Sequence, residues 1–173
     1  AHSEGFETKA IGCFSHAEGY QSISEGCGSH AEGGVCIDPN TQGQVVNKGG
    51  YAIGHGSHAE GFETISEGYA SHAEGYQSEA NGFGSHAEGY ASHAEGDYSH
   101  AEGYGSHTEG YASHAEGNAS HAEGDYSHAE GYGSHTEGYA SHAEGYQSEA
   151  NGFGSHAEGG YNYKDNDTGE LIY

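Results

Sequence analysis

A histidine followed two residues later by a glutamate recurs along this chain: His16/Glu18, His58/Glu60, His72/Glu74, His86/Glu88, His100/Glu102, His114/Glu116, His128/Glu130, His142/Glu144 and His156/Glu158. In an extended segment residues i and i+2 share a face, so each pair sets an imidazole beside a carboxylate. Three chemistries suit such pairs. They could form an ordered polar interface between chains through His–Glu hydrogen bonds. They could hold a divalent metal, with three symmetry-related imidazoles around an axis as ligands and the carboxylates supporting them. Or they could be a solvated face. Catalysis fits poorly, because each His adjoins a Ser, and adjacent strand residues project to opposite faces. No motif requires a cofactor; a divalent metal is the one these residues could bind.

Aromatic residues form a second periodic set. Phe6, Tyr20, Phe62, Tyr76, Tyr90, Tyr104, Tyr132 and Tyr146 recur in one phase, and Tyr69, Phe83, Tyr111, Tyr139 and Phe153 in the other. Where Asp97 or Asp125 takes that place, the next residue is Tyr98 or Tyr126. Such rows are expected to stack into ladders, or to present a surface to a glycan or protein. Cys13 and Cys27 occupy equivalent places one repeat apart, within reach of a disulfide if the repeats stack at strand spacing; Cys36 has no counterpart. Residues 165–170 (Asp-Asn-Asp-Thr-Gly-Glu) faintly resemble a calcium loop without its full ligand spacing.

The element that must position these side chains is a heptad. From Ala1 to Tyr161 the chain divides into 23 consecutive units of the form Ser-x-Ala-x-Gly-x-x. Position five is Gly in all but the units of Asn40 and Asn47, and position three is Ala, Ser or Thr in all but those of Asp38 and Val45. A glycine this regular marks positive φ or close backbone approach. Five alternating residues before a turn make a short strand. Its Ser, Ala and Gly face lines a thin interior, while positions two and four face outward. Two heptads back to back then give a 14-residue coil of an all-β parallel solenoid. The odd heptads carry the His/Glu pair in eleven of twelve cases, whereas the even ones vary, so the two sheets are expected to have different surroundings.

Composition sets the limits. The net charge is −24, from three basic and 27 acidic residues, and Leu, Ile, Val and Phe together number 15 of 173. Without the repeat, such values would indicate disorder. They exclude an ordinary globular enzyme core, a transmembrane helix and a nucleic-acid surface. Collagen needs Gly at every third residue, and a coiled coil needs an apolar seam; neither is present. The lack of Met, with Ala1 already inside the repeat, reads as a processed product or a fragment. Residues 1–161 are read as the repeat domain, with 36–49 as a coil-length insertion, expected to be a hairpin, and 162–173 as a C-terminal hairpin or cap. About 11.5 coils at roughly 4.8 Å each would make a rod of about 55 Å.

The run Ser-x-Ala-x-Gly-x-x, two per coil, resembles the left-handed parallel β-roll of YadA-type trimeric autotransporter adhesin heads. The Ser-His-Ala-Glu-Gly version, as at 15–19 and 141–145, is similar to repeats of bacteriophage tail-fibre and neck-appendage proteins, some of which carry a self-cleaving chaperone domain of the peptidase G2 type. The resemblance covers residues 1–35 and 50–161. It departs from adhesin heads in placing His and Glu where their trimer-facing sheet is apolar. It implies a homotrimeric, non-enzymatic, extracellular, cell-surface or virion rod for attachment or receptor binding, with a cell-surface glycan or protein as partner and no nucleic acid or membrane insertion. A self-assembling extracellular filament, metal-loaded in the sense above, and a rod released by autoproteolysis are the alternatives.

Overall fold

The computed structural model describes residues 1–34 and 48–160, together with the backbone of the strands Tyr163–Lys164 and Leu171–Ile172. Within these residues the chain forms an all-β parallel solenoid of about ten turns, with no helix. Strands alternate between an 11-stranded and a 10-stranded sheet, so that each strand pairs with the one two places along the chain. The register is shifted by 14 residues everywhere but across the insertion, where it is 28: His86 pairs with His72 and His100, Ala94 with Ala80 and Thr108, and His30 with His58. Identical side chains therefore stack into columns. The final short pair, Tyr163–Lys164 with Leu171–Ile172, is antiparallel and separate from both sheets.

The two sheets are unequal. Odd heptads give strands of mostly five residues, such as His72–Tyr76, whereas even heptads give strands of two, such as Glu79–Ala80. In even heptads the chain leaves the sheet after position three and turns. The position-one Ser that follows caps this turn: Ser71 Oγ donates to Gly68 O at 2.8 Å and Ser113 Oγ to Gly110 O at 2.8 Å. The Ser opening the even heptads works across coils instead, as Ser92 Oγ donates to Gly103 O at 3.2 Å.

Position-five glycine meets both expectations, one in each sheet. In the long strands it adopts positive φ, for example 113° at Gly103. In the turns it does not, but a Cβ on Gly110 would lie 2.5 Å from the Gly124 carbonyl carbon. Position seven is a second left-handed site, where Gln77, Ala91 and Tyr98 take φ of 53°, 51° and 59°.

The interior is a bilayer of small residues. Ala73, Ala80, Ala87, Ala94 and Ala101 form one contiguous cluster with no exposure. Thr64, Thr108 and Thr136 are the largest fully buried side chains. A methyl group buries little apolar area, so cohesion rests on the backbone ladders and on close approach of the sheets, and everything bulky is displaced to the outside.

The insertion adds no rung. His30 pairs directly with His58, and Ile23 with Tyr51. The chain leaves the roll after Gly34 and re-enters at Lys48–Gly49, where Gly49 N–H donates to Tyr20 O at 2.8 Å, the bond that position seven makes elsewhere. The 14-residue offset preserves both phase and sheet, so the expected 11.5 coils fall by one and the stack shortens to about 50 Å at strand spacing. The expected hairpin at 36–49 and the turn at 167–169 lie outside the described residues.

Candidate functional site

Eleven histidines, one per long strand from His2 to His156, stand in a single column on the outer face of the 11-stranded sheet. Their rings stack at 4.6–4.9 Å between centroids, and from His16 onward they lie within 14° of parallel. Strand spacing dictates this separation. All nine His/Glu pairs singled out from the sequence lie in this column and the glutamate column next to it.

His156 and Glu158 lie on His156–Gly160, the last strand of the 11-stranded sheet among the described residues, where both side chains are exposed. The His156 ring still stacks on His142 at 4.8 Å, and Glu158 pairs with Glu144.

Within the chain, the paired His and Glu of this face do not hydrogen-bond to each other. Nε2 to carboxylate distances are 3.7 Å at His16–Glu18, 3.6 Å at His72–Glu74, 3.9 Å at His100–Glu102 and His128–Glu130, and 3.8 Å at His142–Glu144. These are ion-pair separations, beyond hydrogen-bond reach. The Nε2 atoms of His16, His58, His72, His86, His100, His114, His128 and His142 are shielded from solvent and have no hydrogen-bond partner. The cause is geometric: two residues along a strand bring the side chains abreast but do not aim the imidazole edge at the carboxylate.

Electrostatics follow from the stacking. Burial, then repulsion from stacked neighbouring imidazoles, pushes His30, His58, His72, His100, His114 and His128 below the usual histidine range, against a smaller opposing pull from glutamates. These side chains favour the neutral form. In the glutamate column, Glu32 is pushed up to about 7, first by a hydrogen bond with the Glu18 side chain, then by burial and by the Glu60 charge. Like-charged residues in register repel, and one proton shared between Glu18 and Glu32 relieves that repulsion.

A second histidine row escaped the sequence reading. His93, His107, His121 and His135 stack along the 10-stranded sheet, at 5.9, 5.1 and 6.0 Å with steeply crossed rings. The signal that could have found it was the recurrence of Ser-His-Ala/Thr-Glu-Gly in even heptads between residues 92 and 138. Because the short strand ends before position four, the glutamate here can reach a histidine on the next coil. His135 Nε2 and Glu123 Oε1 lie at 2.9 Å, and His107 Nε2 is 3.3 Å from Glu95. His121 is pushed down by burial and by His107 and His135.

The aromatic rows do stack. Phe62, Tyr76, Tyr90 and Tyr104 form one ladder at 4.6–4.8 Å, interrupted where Asn118 pairs with Tyr104 and Tyr132; Tyr132 and Tyr146 resume it at 5.1 Å. On the other edge Tyr69, Phe83, Tyr98, Tyr111, Tyr126, Tyr139 and Phe153 run without a break at 5.2–5.5 Å. Tyr98 and Tyr126 come from position seven and fill the column that Asp97 and Asp125 vacate. Those aspartates accept the Phe83 and Tyr111 backbone N–H groups at 2.8 and 2.9 Å. In the first ladder the stacked rings cover one another's faces, whereas from Phe83 to Tyr139 the second meets edge to face at 63–73°. Cys13 and Cys27 fall at equivalent turns of successive coils, and both thiols are free.

No family model matches the chain, and no curated protein matches it.

Proposed function

We propose that this chain is a non-enzymatic rod segment of an extracellular, cell-surface or virion fibre, used for attachment or receptor binding and associated as a homotrimer. The observation that carries this reading is the complete separation of inside from outside. Among the described residues the interior holds only Ala, Ser, Thr and Gly, and both broad faces are columns of side chains in register. Such a body is stiff and regular, and its long-strand sheet offers a flat, self-similar face of the kind a cyclic assembly needs. The left-handed adhesin head and the phage tail fibre are the two resembling architectures that use such a body.

The glycan part of the reading falls on the second ladder, since sugars stack on ring faces and those of the first ladder are mutually covered. Receptor contact through ring edges, tyrosine hydroxyls and the acidic columns is better matched to a protein with a basic surface. Solution mass by light scattering, with particle shape by electron microscopy, tests the proposal. Particles of three chains and roughly 50 Å length are expected. A monomer would overturn the trimer, and long filaments with a regular axial repeat would transfer the function to self-assembly.

A further inference from the structure

The stacked histidine column brings metal-ligand sets together within a single chain, without a symmetry axis. One ligand atom each from His58, Glu60 and His72 lies within 4.8 Å of the others, and the same holds for His86, Glu88 and His100 and for His114, Glu116 and His128. We propose that this face binds divalent transition-metal ions, each held by the imidazoles of two successive coils and the glutamate carboxylate beside them.

Four observations carry it. The Nε2 atoms of all six of these histidines are shielded and lack any hydrogen-bond partner, so each holds a lone pair or an N–H that nothing in the chain uses. The carboxylates of Glu60, Glu88 and Glu116 come within 4.8 Å of the imidazole ligand atoms of their sets. Ligand atoms about 2.0–2.2 Å from a tetrahedral zinc are roughly 3.4 Å from one another, so closing a set takes a contraction of up to about 1.4 Å, within reach of ring tilts and a carboxylate rotation. Third, the acidic column gains most from a cation: an open groove of about 510 Å³ runs along Glu4, Glu18, Glu32 and Glu60, and the chain carries a net charge of −24. Finally, two nitrogens with one carboxylate select zinc, nickel, cobalt or copper over magnesium and calcium, which favour all-oxygen shells.

The column also fixes how many ions it takes. His72 belongs both to the set with His58 and to a set with Glu74 and His86, and one Nε2 cannot serve two ions. Neighbouring sets therefore exclude each other, and filling alternates along the stack. The ring separations alternate likewise: 4.7 Å for His58–His72, 4.8 Å for His72–His86, 4.6 Å for His86–His100, 4.9 Å for His100–His114 and 4.6 Å for His114–His128. The three closer pairs are those of the three non-overlapping sets.

The test is a zinc titration at pH 7.5 by calorimetry with elemental analysis, on chain whose three cysteines (Cys13, Cys27 and Cys36) are changed to Ser so that thiols cannot contribute. At least three tight equivalents per chain are expected, with magnesium failing to compete at 100-fold excess. A triple variant, His72→Ala, His100→Ala and His128→Ala, removes one member from each of these three sets while leaving His16, His30 and His58, and His142 and His156, stacked. It should bind about three fewer tight equivalents than the unsubstituted ladder while keeping its far-ultraviolet circular dichroism. The variant His93→Ala, His107→Ala and His135→Ala removes as many imidazoles from the other sheet and should keep the tight sites. Absence of tight zinc in the unsubstituted ladder, equal competition by magnesium, or equal loss in both triple variants would overturn the proposal.

Discussion

Gly110 and Gly105 lie five residues apart, yet alanine should be tolerated at only one of them. A Cβ on Gly110 would sit 2.5 Å from the Gly124 carbonyl carbon and 2.8 Å from the Glu123 oxygen, both backbone atoms of the next coil. Neither can rotate away, so the coils must separate locally by about 1 Å to restore ordinary contact. That stretches the bonds in which Glu109 N–H and Gly110 N–H donate to Ala122 O at 3.0 and 3.4 Å. Overpacking at about 1–3 kcal/mol and two weakened hydrogen bonds at about 1 kcal/mol each give a loss of about 3–5 kcal/mol for Gly110→Ala. Gly105 has φ of +63° but nothing within 4 Å of its added Cβ. Ala91 and Ala119 already take φ of 51° and 53° at the same place in neighbouring long-strand heptads. The left-handed cost of about 1–2 kcal/mol is offset by about 0.4–1 kcal/mol from a stiffer unfolded chain. Gly105→Ala should therefore change stability by no more than about 1 kcal/mol. In a stack where each coil touches only its neighbours, a lesion acts locally. The measurement is accordingly urea unfolding combined with hydrogen exchange of the Glu109 and Glu123 amides. Equal losses in the two variants would refute the claim that backbone approach, rather than φ, fixes the glycines of the turns.

Stability of the metal-free chain should rise as pH approaches 6.5 from below and then level. Seven histidines (His30, His58, His72, His100, His114, His121 and His128) lie below their unfolded value of 6.5. The unfolded chain therefore binds the extra protons as pH falls through 6.5, and their contribution, complete above that value, is progressively lost. Glu32, raised from 4.5 to about 7, acts with the opposite sign between those values, but it is one group against seven; urea midpoints that fall with rising pH would contradict this balance. In the core, Ala101→Thr in the long-strand sheet should cost about 1–3 kcal/mol by overpacking, whereas Ala94→Thr should cost under about 1 kcal/mol, because Thr108 and Thr136 already occupy its column; equal thermal shifts would sink the distinction. Asp97→Ala leaves the Phe83 N–H to water and should cost about 0.5–1.5 kcal/mol, read as faster exchange of that amide with the ladder rings otherwise undisturbed.

Much of this fold was legible in the sequence, because a period of seven with an odd–even alternation admits few structures once Gly recurs at position five in all but two units. The columns of His, Glu and Tyr follow from a 14-residue coil without any further information. Contacts within the columns did not follow. Spacing places His72 and Glu74 on one face, but only coordinates separate an ion pair at 3.6 Å from a hydrogen bond. Nor does the repeat say where its own shielding stops: Glu158 sits in the same pentapeptide as Glu144 and differs from it only in ending the stack. The excursion after Gly34 was recognisable as coil-length; that it adds no rung depends on His30 finding His58 across it, a pairing no local pattern records.

The unequal sheets mark where local sequence loses authority altogether. Ser92–Gly96 and Ser99–Gly103 are the same pentapeptide, Ser-His-Ala-Glu-Gly. The first gives a two-residue strand and a turn, His93–Ala94, and the second a five-residue strand, His100–Tyr104. Gly103 takes a φ of 113° and Gly96 stays out of the left-handed region. Propensity cannot distinguish identical segments, so the coils above and below must assign the conformation. Residues found in only one phase then act as its markers. Among the described heptads Thr at position three occurs only in even units, at Thr108 and Thr136, where each hydroxyl donates at 2.9 Å to the Oγ of Ser99 or Ser127 across the thin interior. Outward-facing Ile occurs only there too, at Ile11, Ile23, Ile53 and Ile65. The pentapeptide specifies that a coil forms, and these few departures from it specify which half of the coil each heptad becomes.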